Sequence, residues 1–264
     1  MFYHKAKKSL GQNFLKSKLA LKTIIESGEI SLNDTIVEIG PGKGALTDIL
    51  LETGARIIAV EKDDALFAHL SEKYAEYISS KKLTLIHNDV LNLDDSFYKL
   101  STKNYKLIAN IPYNITGQII RKFLTTETRP ERMVLLVQKE VSDRIVARDG
   151  KESLLSLSIK LYGTPKYIKK VPARDFSPAP KVDSAILLIK DIKKPILSKD
   201  EEMYFFKILH AGFGHKRKML VSNLSEIHPR EKVLSVFQSL SINEKVRAED
   251  LSLSQWISLT QTLS

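Results

Sequence analysis

A chain of 264 residues, 43% of them hydrophobic, is long enough to bury one large core, or one large and one small. Its formal net charge of +10 points to an anionic partner, nucleic acid first. The absence of cysteine excludes disulfides, thiolate metal sites and cysteine nucleophiles, and six scattered histidines form no ligand motif, so no metal is expected.

The first 18 residues are polar and basic, with Lys5, Lys7, Lys8, Lys16 and Lys18, and no acid occurs before Glu26. No cleavable apolar segment follows them. The apolar runs at 133–137 and 185–189 are too short to span a bilayer, so no membrane partner and a cytoplasmic location are expected. A helix is predicted over 18–27, then strand and helix alternate: 35–39 with 43–53, 56–60 with 63–78, strand 83–87, 105–109 with 114–124, and 133–137 with 139–147. This alternation predicts a mostly parallel α/β sheet with helices on both faces. A helix over 153–161 precedes two paired strands, 166–171 and 183–190, joined through the proline-rich loop Phe176-Ser-Pro-Ala-Pro180. Beyond a linker at 191–199 only helices are predicted, over 201–211, 216–224, 230–240 and 254–262. The expected division is 1–190 for the sheet domain and 191–264 for a small helical domain.

The loop Glu38-Ile39-Gly40-Pro41-Gly42-Lys43-Gly44 leaves a strand and opens a helix. Its glycines allow a tight turn and close approach of a ligand, but their spacing departs from the dinucleotide fingerprint, and the Walker ending is missing. The next strand ends at Glu61, where a carboxylate can accept both hydrogen bonds of a ribose diol. The third ends at Asn88-Asp89, and Asp89 is expected to accept from an adenine amine; an Asx cap is its competing role. Glu38 is expected to hold the loop backbone or an amino-acid end rather than to perform acid–base chemistry. Ligands of such sheets bind beyond the carboxyl ends of the strands, where Gly40, Glu61, Asp89 and Asn110 all fall.

The fourth strand ends in Asn110-Ile111-Pro112-Tyr113. The Asn110 side-chain oxygen can accept one hydrogen of an exocyclic base amine, and the Ile111 or Pro112 carbonyl the other. That arrangement favours positive charge developing on nitrogen. Tyr113 can stack on the base and Phe176 can cover its opposite face. Such a pocket takes a base that has left its helix. The whole points to methyl transfer onto a nucleobase nitrogen.

These motifs resemble the ribosomal RNA adenine N6-dimethyltransferases, most of all the bacterial small-subunit type, along nearly the whole chain. Ser9-Leu10-Gly11-Gln12-Asn13-Phe14-Leu15 is similar to the family's amino-terminal cofactor lid, and the segment from Phe176 to Ser184 to the one bearing its second aromatic. The resemblance implies a Rossmann-like class I S-adenosylmethionine-dependent methyltransferase with a small C-terminal helical domain. It implies that Asn13, Leu15, Gly40, Glu61, Asp89 and Asn110 contact S-adenosylmethionine, with S-adenosylhomocysteine as product, and that Gln12 holds the amino-terminal segment on the pocket. Asn110, Pro112, Tyr113 and Phe176 would form the catalytic set. The implied substrate is 16S rRNA in the immature small ribosomal subunit, where two adjacent adenosines near the 3′ end each receive two methyl groups.

Lys216, Arg217 and Lys218, expected on a helix, are the leading phosphate contacts, and Lys5, Lys7, Lys8, Lys166, Lys169, Lys170, Arg174 and Lys181 extend the candidate footprint. A monomer suffices for this surface. Two readings compete: a 23S rRNA adenine N6-dimethyltransferase conferring macrolide-type resistance, and a ribosome-assembly binding factor whose methylation is dispensable.

Overall fold

In the computed structural model the described residues are 4–7, 10–94 and 105–264, so Lys8 and Ser9 lie outside them. The chain divides into two compact units, Met1–Ser142 with Gly163–Lys193, and Asp143–Tyr162 with Lys194–Ser264.

The first unit is built on a seven-stranded sheet. A short strand β1 (Phe14–Leu15) and helix α1 (Lys18–Gly28) lead into β2 (Thr35–Ile39), α2 (Ala45–Glu52), β3 (Arg56–Glu61), α3 (Asp64–Lys73), α4 (Ala75–Ser79) and β4 (Leu83–His87). Then follow β5 (Lys106–Asn110), α5 (Thr116–Thr125), β6 (Arg132–Gln138), α6 (Lys139–Ile145), α7 (Leu154–Lys160), β7 (Thr164–Val171), β8 (Phe176–Ser177) and β9 (Ser184–Lys190). The sheet order is β4-β3-β2-β5-β6-β9-β7. The first five strands pair in parallel, and β9 runs antiparallel to both β6 and β7. This is the Rossmann-like α/β sheet expected, with the two late strands paired at its end.

Burial explains the pattern. All five residues of β2 are buried, as are the central residues of β3, β5 and β6. Strands covered on both faces read as continuous aliphatic runs without alternation. The edge strand β7 alternates instead, with Lys166 and Lys170 outward. Lysines on an edge discourage pairing with another chain. In α1, Ala20, Leu21 and Ile24 turn inward at helical spacing, and the Ser17 hydroxyl caps the start by accepting from Ala20 N–H.

Two expected helices differ in detail. The helix predicted over 63–78 breaks at Tyr74, whose backbone leaves the helical region (φ −111°, ψ 23°) while its buried hydroxyl reaches Asp48 Oδ1 (2.6 Å) and the Gly44 carbonyl (3.0 Å). The helix predicted from 114 begins at Thr116, after a single 3₁₀ turn over Tyr113–Ile115 that follows Pro112.

The second unit gathers α7 with α8 (Lys199–Gly212), α9 (Leu220–Leu224), α10 (Arg230–Ser239) and α11 (Leu253–Leu263). Phe205, Leu209, Leu220, Phe237, Trp256 and Leu259 are its buried core. Capping boxes start α8 at Ser198 with Glu201, and α11 at Ser252 with Gln255. The expected division at 190 put residues 143–162 with the sheet. They belong to the helical unit instead, held there by the Lys151–Asp250 ion pair and by Glu152 N–H on the Glu249 carbonyl (2.9 Å). Linear order cannot reveal such an excursion.

The helix expected over 216–224 is also corrected. Helix α9 starts at Leu220, and Lys216, Arg217 and Lys218 sit on the turn before it. The buried Asn223 side chain pins that turn, its amide donating to the carbonyls of Gly212 (2.5 Å) and His215 (3.2 Å). Gly212 is the last residue of α8, and a Cβ there would collide with the Trp256 ring.

Candidate active site

Chain order reverses between β2 and β5, and the crevice beyond the strand ends at that point is where open α/β sheets bind ligands. Gly40 leaves β2 with φ +63°, its N–H on the Val60 carbonyl (2.9 Å), and no atom lies within 4 Å of where a Cβ would stand. The loop therefore presents bare backbone to open space. Gly44 turns the chain into α2 with φ +85°, and a Cβ there would collide with the Tyr74 hydroxyl.

Glu61 is 5% exposed and ends β3. Its Oε1 accepts the N–H groups of Lys62 and Asp63 (both 2.9 Å), and its Oε2 accepts that of Gly42 (3.1 Å). Burial pushes its pKa up, and the three N–H donors work against that shift. Glu38, also buried, accepts from the Thr47 hydroxyl (2.8 Å) and is pushed up to about 8 by burial, with the Glu61 charge adding to the effect. Asp89 takes the cap role. Its Oδ1 caps the turn at Leu91 N–H (2.9 Å), and its Oδ2 takes the Lys62 ammonium (2.7 Å) while the residue lines the cavity. Burial opposes its charged form, yet Lys62 and the Leu91 N–H hold its pKa below the usual carboxylate value.

Asn110 ends β5, and its Nδ2 donates to the Asn13 carbonyl (3.0 Å). That bond fixes which way the amide faces, because only the NH₂ side can serve a carbonyl, and it leaves Oδ1 as an acceptor. The Pro112 carbonyl accepts Ile115 N–H (3.3 Å) and the Thr116 hydroxyl (3.4 Å), closing the turn. Tyr113 is half-buried, and its hydroxyl meets that of the fully buried Ser184 at 2.6 Å. Burial raises the Tyr113 pKa, with the Ser184 hydrogen bond opposing.

Phe176 departs from the expectation. It is 2% exposed, pairs through β8 with Leu15 on β1, and packs in the core with Val171 and Ile186. Its neighbour Ser177, not Phe176, lines the cavity. The strand pairing turns alternate side chains to opposite sides, so Phe176 faces the core where Ser177 borders the cavity. Leu15 is likewise a core residue, though it borders the cavity.

The amino-terminal segment closes the crevice. Gln12 Oε1 accepts Lys7 N–H (2.8 Å), and Gln12 Nε2 donates to Asp63 Oδ2 (3.2 Å). Asn13 holds its own turn through the Gly11 carbonyl (3.1 Å). Together Gln12, Asn13, Gly40, Glu61, Asp89, Asn110, Pro112 and Tyr113 border one cavity of about 530 Å³, a size suited to a nucleoside-like ligand. Its open glycine backbone, ribose-type acid and ring-edge acceptor fit S-adenosylmethionine. No group of His, Cys, Asp or Glu able to hold a metal occurs among the described residues.

Lys216, Arg217 and Lys218 are exposed on the second unit, with Lys218 3.3 Å from Glu226. In the first unit Lys7 is engaged by Asp63 (2.8 Å) and Lys170 by Asp183 (2.7 Å), while Lys5, Lys166, Arg174 and Lys181 are exposed and Lys169 is half-buried. Sequence reasoning missed Asp63, Ser184 and Asn223. Asp63 carries a local signal, an acid immediately before a helix; the partners of Asp63 and Ser184 lie far along the chain, whereas those of Asn223 are 8 and 11 residues away.

The structure resembles the solved dimethyladenosine transferase of Plasmodium falciparum, with a TM-score of 0.77 and 26% identity over 93% of this chain and 95% of that one. It shares its fold with the 23S rRNA methyltransferase ErmE (TM-score 0.77, 24% identity, 95% and 99% covered). In sequence it is 41% identical to the Ribosomal RNA small subunit methyltransferase A of Dehalococcoides mccartyi strain CBDB1, over 96% of this chain and 86% of that protein. The family model described as Ribosomal RNA adenine dimethylase matches residues 3–264, and on a match of that extent the chain belongs to the ribosomal RNA adenine dimethylase family.

Proposed function

We propose that this protein transfers methyl groups from S-adenosylmethionine to N6 of two adjacent adenosines in the 3′-terminal hairpin loop of 16S rRNA, in the immature small ribosomal subunit. Two groups go to each base, four in all. The observation that carries the chemistry is the Asn110 amide, held by the Asn13 carbonyl with its oxygen left to accept at the mouth of the cavity. The small-subunit assignment rests on the roughly full-length likeness to proteins named for that substrate, at 41% identity, against 24% for the large-subunit enzyme.

When bound, S-adenosylmethionine supplies a methyl group made electrophilic by its sulfonium. The chain's residues do the rest. Glu61 receives the ribose diol, Asp89 the adenine amine, and the bare Gly40 backbone admits the methionine end. Asn110 Oδ1 accepts one N6 hydrogen of the target base and the Ile111 carbonyl the other, since the Pro112 carbonyl is already engaged. These acceptors would stabilise the positive charge that develops on nitrogen as it takes the methyl group from the sulfonium. The charged nitrogen then loses its proton to water. A monomethylated N6 retains one hydrogen, which Asn110 alone can accept, so the second transfer uses the same site. Tyr113, fixed by Ser184, provides the stacking face. Exposed Lys216, Arg217 and Lys218 neutralise rRNA phosphates, and one copy of the chain acts alone.

The test is transfer of radiolabelled methyl groups to unmethylated small subunits, large subunits and naked rRNA, followed by nucleoside mapping. Dimethyladenosine at the adjacent small-subunit pair is expected. Label confined to the large subunit would replace this reading with the resistance-type one. Ribosome binding without label in any immature substrate would favour an assembly factor.

A further inference from the structure

Asp63 is a buried carboxylate that the reaction does not use. It is 2% exposed and stands two residues after Glu61, whose Oε1 receives its N–H. Its two oxygens divide their work. Oδ1 caps α3 by accepting from Ala65 N–H (3.0 Å) and Leu66 N–H (3.2 Å). Oδ2 faces the amino-terminal segment, where it takes the Lys7 ammonium (2.8 Å) and the Gln12 amide (3.2 Å), with His4 Nε2 at 3.9 Å. A cap needs one oxygen, so burial of a second with two long-range donors marks a tether rather than a helix start alone.

The tethered segment continues into the active site. Gln12 is followed by Asn13, whose carbonyl orients the Asn110 amide, and by Phe14, whose ring packs against Gly42 with Lys43 Nζ 5.0 Å from its centroid. Its far end is fixed separately, by the β1–β8 pairing and by Lys16 N–H on the Asp175 carbonyl (2.8 Å). Between these two anchors lies the stretch that borders the cavity.

We infer that Asp63 is a positioning residue whose Oδ2 latches Lys7 and Gln12, holding the amino-terminal segment closed over the cofactor cavity and, through Asn13, setting the Asn110 amide for transfer. The inference rests on the proposed reading of the cavity only for its catalytic consequence; the latch itself is a property of the free protein.

Asp63→Asn separates the two functions, because asparagine keeps an oxygen for the α3 cap but offers an amide where Lys7 and Gln12 need an acceptor. Lys7→Met removes the exposed partner and leaves the fold untouched. Hydrogen exchange on the cofactor-free full chain should rise at residues 10–15 in both variants and stay unchanged in α3. Dissociation of S-adenosylhomocysteine should quicken about tenfold, the loss of one charged hydrogen bond. Turnover at saturating cofactor should fall as well, which a merely structural cap would not produce. The double variant should be no worse than the more affected single one, since both break one latch. Unchanged exchange at 10–15, or additive effects in the double variant, would overturn the latch. Failure of the wild type to bind S-adenosylhomocysteine would instead overturn the cofactor reading and leave the exchange result to decide the latch.

Discussion

The Asn110 NH₂ is committed to the Asn13 carbonyl, which leaves its side-chain oxygen as the acceptor that the proposed reaction uses. Asn110→Ala should therefore reduce methyl transfer by on the order of 10²-fold while leaving ribosome affinity within a factor of two, checked by single-turnover labelling beside a binding assay. Retained full activity would remove the amide from the chemistry. Glu61→Ala should act earlier, weakening cofactor binding in calorimetry, because it removes the carboxylate proposed to receive the ribose diol. Glu38 gives a pH signature. Its folded pKa is raised from the ordinary 4.5 to about 8, so the folded state holds a proton that the unfolded chain releases. The associated stability is complete below 4.5 and is lost as pH rises through about 8. Glu38→Gln keeps an acceptor for Thr47 and removes the titration. The wild type should lose on the order of 3 kcal/mol relative to this variant between pH 5 and 8.5, read from denaturant midpoints. Parallel pH profiles would show that Glu38 is ionised throughout.

At the scale of elements, the cofactor loop and the helix behind it are joined through Tyr74. The same residue that breaks α3 from α4 supplies the hydroxyl that meets Gly44 and Asp48. Two glycine substitutions should separate loop architecture from ligand space. Gly44→Ala forces a methyl onto the Tyr74 hydroxyl at a positive φ, and should destabilise the first unit by about 3 kcal/mol. Gly40→Ala meets nothing, so its stability cost should stay near the ~1 kcal/mol of backbone strain, while cofactor affinity falls. Equal stability losses in thermal unfolding would contradict this division. The β1–β8 pairing has its own consequence: it carries Phe176 into the core with Leu15 and brings Ser177 to the cavity. An aromatic immediately before Ser177-Pro178 reads in sequence as a cover for a base, and the register of a two-residue strand turns it into the core.

At the scale of the molecule, charge and organisation dominate. The surplus of cations is spread over both units, but many lysines are committed: Lys7 to Asp63, Lys62 to Asp89, Lys106 to Asp34 and Lys170 to Asp183. The basic turn at Lys216–Lys218 is exposed and held by Asn223 rather than by helix hydrogen bonds. Replacing Lys216, Arg217 and Lys218 by alanine should weaken rRNA binding and lower the slope of log affinity against log salt by about 2–3, roughly one unit for each phosphate that is no longer neutralised. An unchanged slope would take the turn out of the footprint. Among the described residues no helix is long and apolar enough to cross a membrane.

The sequence by itself determined the sheet and its cofactor end. Short runs such as Thr35–Ile39, alternating with helical pattern, read as strands of a parallel sheet, and the residues that end or follow them fall at its carboxyl edge, so the placement of Gly40, Glu61, Asp89 and Asn110 at the crevice was legible from local pattern. The family, too, was legible, because its motifs are short and contiguous. What the tertiary structure decided depends on contacts between distant residues. Residues 143–162 joined the helical unit through partners about a hundred positions away, such as Asp250. The basic triad sits on a turn that the buried Asn223 amide ties down through the Gly212 and His215 carbonyls. Phe176 became core through its pairing with Leu15, and Asp63 became a latch through Lys7 and Gln12. Local propensity and period are properties of neighbours in the chain, whereas orientation of an amide, burial of a ring and pairing of a charge are settled only when the chain has folded back on itself.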